Sequence, residues 1–176
     1  MFSERLPVHI DPLRMVEARR VLQGVLPLAE MDRLQSSTVR ADGEVHVELE
    51  FGTDLEGIRY MRGQLRAEVS LECQRCLQAM AFPIDSCFAL ALVRNETQAE
   101  SLPSHYEPLV LDGEPLFLRD VIEDELLLAL PIVPKHPEGV CQLAIPRQQE
   151  SDTQTDPDSA KKVNPFAVLT NLKIDG

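Results

Sequence analysis

The chain has 176 residues, 44% of them apolar and only 5% aromatic, with 29 acidic against 17 basic side chains and a formal net charge of −12. Such a chain is long enough for one domain with a core of Leu, Val, Ile and Ala, since it has no tryptophan. The charge excludes a protein that simply coats nucleic acid, and the longest apolar run, 126–133, falls far short of the roughly 20 residues of a membrane span.

Met1 to Ile10 carries Glu4, Arg5 and His9 and no apolar h-region, so no secretory signal is read here. A cytoplasmic setting follows, in which four cysteines are thiols or metal ligands rather than disulfides. Asp11-Pro12 is a helix start, an Asx cap followed by proline at the first helical position. Leu13, Val16 and Arg20 share a face of that short helix, which Gly24 and Pro27 end or turn into a strand. Ala29 to Leu34 is read as a second helical turn.

The middle alternates clearly. Residues 44–51 place Val45, Val47, Leu49 and Phe51 on one face, and a turn rich in Asp, Gly and Thr follows over 52–57. Leu65, Ala67, Val69, Leu71 and Cys73 repeat the pattern, and Cys87 to Val93 resumes it after Pro83. These three segments predict an antiparallel β-meander, buried on one side and wet on the other. Pro108 to Leu111 is a further short strand. Leu116 to Leu130 predicts a helix with Leu118, Val121, Ile122 and Leu126 inward and Arg119, Asp120, Glu123 and Asp124 outward, stopped by Pro131. The fold class is α+β: a meander packed with a few helices over residues 1–145. A disordered acidic linker is expected over 146–162, where apolar residues almost vanish. Residues 163–176 then form a short helical docking motif, capped by Asn164 and Pro165, with Phe166, Leu169 and Leu172 on one side.

Cys73-Gln-Arg-Cys76 sits at the turn between the second and third strands of the meander. A redox CxxC normally opens a helix in a βαβ unit, and this pair ends a strand instead. A structural zinc site needs two more ligands. His136 and Cys141 can supply them, on a segment that Pro137 and Gly139 make turn. Zn2+ bound by Cys73, Cys76, His136 and Cys141 stands against four metal-free thiols. Cys87 is read as a small buried hydrophobe.

Charge is unevenly spread. Arg59, Arg62, Arg66 and Arg75 form a locally basic stretch that could meet RNA phosphate, while 95–125 holds nine acids against Arg119 alone. The acids of 120–125 are read as a solvated helix face rather than a magnesium site. Walker A, GxGxxG, GxSxG and HExxH signatures are lacking, and no small-molecule substrate is evident, so the chain is not read as an enzyme.

Several segments together resemble the YceD family, the large ribosomal RNA subunit accumulation proteins. They are Asp11-Pro12, Leu71-Glu-Cys-Gln-Arg-Cys, Leu102-Pro-Ser-His-Tyr-Glu-Pro108, Val121-Ile-Glu-Asp-Glu-Leu-Leu-Leu-Ala-Leu-Pro131 and Asn164-Pro-Phe-Ala-Val-Leu with Leu172-Lys173. The resemblance runs nearly end to end in the same order. It implies a non-enzymatic factor for synthesis, processing or stability of 23S ribosomal RNA, with precursor rRNA or basic ribosomal proteins as partners. Relatives often carry a second cysteine cluster after the long helix, where this chain offers His136 and Cys141. A zinc-ribbon interaction module unrelated to ribosomes is the alternative.

Overall fold

The computed structural model describes residues 6–141. The linker expected over 146–162 and the docking motif expected over 163–176, with Asn164, Pro165, Phe166, Leu169 and Leu172, lie outside the described residues.

After a two-residue strand β1 (His9–Ile10), helix α1 (Pro12–Glu17) starts where the sequence marks it. The Asp11 carboxylate accepts the N–H groups of Leu13 and Arg14, each at 3.1 Å. The chain then runs through β2 (Val21–Pro27), a single 3-10 turn (Leu28–Glu30) and α2 (Asp32–Ser37). Three long strands follow: β3 (Glu44–Thr53), β4 (Arg59–Glu72) and β5 (Ala79–Val93). The one-turn helix α3 (Glu96–Ala99) leads to β6 (Glu107–Val110), then β7 (Leu116–Phe117) and α4 (Leu118–Leu128).

The main sheet has the order β2-β3-β4-β5-β6. Every pairing is antiparallel except β5 with β6, which α3 makes parallel by crossing over between them. The α+β architecture agrees with the sequence, and the meander is the centre of a mixed five-stranded sheet. Separately, β1 pairs with β7, so His9 and Ile10 lie beside Phe117 and Leu116.

Alternation decides which face is covered. Val45, Val47, Leu49 and Phe51 of β3 join Met61, Leu65, Val69 and Leu71 of β4 on the inner face. Leu28, Met31 and Leu34 and the α4 residues Leu118, Ile122 and Leu126 pack onto them, all fully buried. Each such side chain stabilises the fold by about 1.5–3 kcal/mol relative to exposure. A smaller cluster of Tyr60, Ala91, Val93 and Tyr106 lies on the outer face. Gly63 of β4 is a required gap, because a Cβ there would overlap the Phe88 ring and come within 2.9 Å of Leu49.

Four details differ from expectation. Pro83 lies inside β5 rather than before it, opposite Glu68 of β4. β6 covers the far edge of β5 only at Leu90–Val93, so the missing N–H of Pro83 faces an unpaired edge. Cys87 is exposed, not buried, because it shares the outer face with Asp85, opposite Gln64. Helix α4 starts at Leu118, since Leu116 and Phe117 are taken by β1.

The fourth concerns the acids of α4: Glu123 is 5% and Glu125 8% exposed rather than solvated. Helix α2 has no side-chain cap of its own. The Glu123 carboxylate supplies one from α4, accepting the N–H groups of Arg33 at 2.7 Å and Leu34 at 3.0 Å. The Arg33 guanidinium completes the contact at 2.9 Å and also pairs with Asp124.

Candidate metal centre

Where β4 ends, the chain must reverse within a few residues to start β5. The turn is closed by two hydrogen bonds: Leu77 N–H donates to the Cys73 carbonyl at 2.8 Å, and Cys73 N–H donates to the Gln78 carbonyl at 2.9 Å. Leu77 takes φ 58°, the left-handed region that favours glycine. This tight reversal directs the Cys73 and Cys76 thiols to the same side.

The other half comes from beyond α4. Pro131 and Pro134 keep the chain from continuing as a helix, and Gln74 N–H donates to the Pro134 carbonyl at 2.9 Å, tying this segment to the turn. Gly139, at φ 83°, bends Pro137 to Val140 so that His136 and Cys141 face the two thiols. Arg75 supports the arrangement by donating to the His136 carbonyl at 3.2 Å.

Cys73 Sγ lies 3.6 Å from Cys141 Sγ, Cys76 Sγ lies 3.4 Å from His136 Nδ1, and Cys141 Sγ lies 3.6 Å from the same nitrogen. All four donor atoms fall within 4.8 Å of one another. Zn–S and Zn–N bonds of about 2.3 and 2.0 Å at tetrahedral angles set donors about 3.8 Å (S to S) and about 3.5 Å (S to N) apart. The three contacts are therefore edge lengths of a zinc tetrahedron. Three thiols and an imidazole form a soft, closed donor set that suits structural zinc. These four residues could hold a metal ion, and among the described residues they are the only such His, Cys, Asp and Glu cluster.

The electrostatics favour a cation. Burial raises the Cys73 thiol, but the backbone N–H groups of His136, Arg75 and Cys76 outweigh it and pull the pKa below that of an ordinary cysteine. The His136 N–H approaches Cys73 Sγ at 3.4 Å. Cys141 moves the other way: burial raises it, and the neighbouring Cys73 and Cys76 thiols add to the rise. One thiolate is stabilised by the backbone and a second is opposed by the first, the imbalance that a bound divalent ion removes.

The four arginines do not gather into one patch. Arg62 and Arg66 share the outer face of β4, Arg59 has the opposite parity at the start of that strand, and Arg75 belongs to the cysteine turn. Arg66 pairs with Asp85 at 3.6 Å. Arg62 lies over the Tyr60 ring at 4.3 Å and donates to the Tyr106 hydroxyl at 3.0 Å, which in turn donates to Asp54 at 3.1 Å. Sequence reasoning gave Tyr106 no role; it lies in the 102–108 segment that carries the resemblance, which was the available signal.

A profile described as "Large ribosomal RNA subunit accumulation protein YceD" matches residues 61–173. A Haemophilus influenzae protein of that same description is 36% identical over 175 residues, covering 98% of this chain and 99% of its own length. The chain belongs to the YceD family. No solved structure matches it. The YceD profile begins inside β4, so it takes in both halves of the cysteine–histidine cluster and all of α4. Among the described residues of this YceD chain, no helix is long and apolar enough to cross a membrane.

Proposed function

We propose that this chain is a non-enzymatic cytoplasmic factor that supports synthesis, processing or stability of 23S ribosomal RNA, and so assembly of the large ribosomal subunit. The near full-length similarity to a protein named for large ribosomal RNA subunit accumulation carries this reading. The partners are precursor ribosomal RNA and basic ribosomal proteins. A net charge of −12 suits contact with basic proteins, and local arginines reach phosphate where acids are absent.

In this reading Zn2+ held by Cys73, Cys76, His136 and Cys141 is structural. It would fix the β4–β5 turn against the segment after α4, because four protein ligands leave no open position for catalysis. Residues 163–176 act as a docking motif through Phe166, Leu169 and Leu172. The proximity of the cluster to α4 and the main sheet argues against a free-standing zinc-ribbon module.

Co-sedimentation of the full chain with large-subunit precursors, repeated at two salt concentrations, tests the reading. Association that weakens steeply with salt supports phosphate contact, and salt-insensitive association supports protein docking. Wild-type chain that stays out of the precursor fractions overturns it. Removing 164–173 without weakening association would sink the docking role of the tail.

A further inference from the structure

Among the described residues, most arginines have partners. Arg14, Arg33, Arg40, Arg66 and Arg119 pair with acids, while Arg62 and Arg75 donate to Tyr106 and His136. The side chains of Arg19, Arg20, Arg59 and Arg94 have no such partner, and of these four Arg59 and Arg94 line one cavity of about 400 Å³. It lies at the end of the sheet where β4 begins and β5 stops. Arg59 opens β4, and Arg94 follows directly on Val93.

The lining is unusual for so acidic a chain. Gln98 and Ser101 join the two arginines on the rim, while Leu13 and Leu102 contribute to an aliphatic floor, and no acidic side chain takes part. Other cavities are lined by Glu48 and Glu50, by Glu107 and Glu125, and by Glu30 with the acids of α2 and α4. The Gln98 carboxamide oxygen is engaged by the Arg94 N–H at 2.9 Å, which fixes the residue that carries one of the two cations.

We propose that this cavity is a nucleotide-binding site for single-stranded RNA. Arg59 and Arg94 hold a backbone phosphate between two guanidinium groups. The base lies on the Leu13 and Leu102 floor, and the Ser101 hydroxyl reaches its edge or the ribose. A cavity of this size takes one unstacked nucleotide and excludes a duplex, in keeping with how proteins read RNA loops and bulges. The inference rests on the ribosomal reading above and names where the RNA is touched.

The test measures binding of a short single-stranded RNA to the full chain by fluorescence anisotropy between about 50 and 200 mM salt. Wild type is compared with Arg59→Ala, Arg94→Ala, the double variant and the control Arg40→Ala. All three sites are exposed, so the variants fold. Losing the one phosphate contact lowers the salt slope by about 0.7, which is about fivefold weaker binding near 0.1 M salt. Arg40→Ala stays within about twofold, because Arg40 is paired with Asp42 and lies away from the cavity.

A double variant with wild-type affinity and slope overturns the proposal. A parallel titration with adenosine 5′-monophosphate, read on the methyl resonances of Leu13 and Leu102, separates the phosphate source. Arginine-dependent binding of the mononucleotide without binding of RNA overturns the RNA assignment, as does precursor association that persists after RNase treatment yet still needs both arginines. Wild type that never enters precursor fractions refutes the ribosomal reading; a double variant that binds RNA as well as wild type refutes only this site.

Discussion

Glu125 sits in a place that a carboxylate should avoid. Its side chain is 8% exposed on α4, and burial, followed by the charges of Glu107 and Asp124, raises its pKa from 4.5 to about 7. An acid whose pKa is higher in the fold than in the unfolded chain stabilises the fold fully only below the unfolded value. That contribution is lost as pH rises through the folded value. At 1.36 kcal/mol per unit, ionising Glu125 costs the fold at most about 3 kcal/mol above pH 7. The bordering cavity of about 310 Å³ lets water relax part of that charge, so about 1–3 kcal/mol is the expected range. Glu125→Gln keeps the shape and removes the charge. In urea denaturation at pH 8 the variant should therefore be more stable than wild type by that amount, and at pH 5 the advantage should shrink towards zero. Any pH dependence of the cysteine cluster is common to both proteins and cancels in the difference. Glu107→Gln should recover part of the gain. An advantage for Glu125→Gln that is the same at pH 5 and pH 8 refutes the reasoning.

Purified chain should carry about one zinc ion, and with free zinc about a thousandfold above its Kd the metal adds about 4 kcal/mol of stability; elemental analysis and melting of wild type, chelated protein and Cys73→Ser check this, and equal melting of all three refutes it. Glu123→Ala removes the cap of α2 and the Arg33 pair together, so chemical denaturation should show a loss of about 2–3 kcal/mol; a loss under about 0.5 kcal/mol argues that solvent replaces both. Gly63→Ala should cost about 1–3 kcal/mol by overpacking against Phe88, and adding Phe88→Leu should return part of it, whereas a neutral Gly63→Ala means the strands shift freely. Maleimide labelling should reach Cys87 in the folded chain well before Cys73, since only Cys87 is exposed; equal rates refute the placement.

What the sequence made legible was periodicity. β3 buries every second side chain and reads cleanly, and the first half of α1 is announced by Asp11 and Pro12. The end of β5 misleads for a physical reason. Leu90 and Leu92 face the main core while Ala91 and Val93 face the outer cluster with Tyr60 and Tyr106, so both parities are apolar and the side taken by Cys87 is ambiguous. Glu123 was illegible because its partners, Arg33 and Leu34, are 90 and 89 positions away. On α4 alone it resembles any solvated acid. The cysteine and histidine residues of the cluster were legible by residue type, but their convergence depended on Gln74 meeting Pro134, which no local pattern announces.

The strand order of the main sheet has a consequence for how the chain is made. Because β2 to β6 lie side by side in the order of synthesis, each strand finds its neighbour soon after it emerges. The contacts that close the structure come late: His9 beside Phe117, Arg33 with Glu123, and Cys73 with Cys141, 68 positions apart. Until residues 116–141 have been added, α2 and β5 have no α4 beside them, and the inner core lacks Leu118, Ile122 and Leu126. A nascent chain thus passes through an open-faced stage, the form most exposed to aggregation. Capture of a metal ion by the last ligand, Cys141, would be the step that ends it.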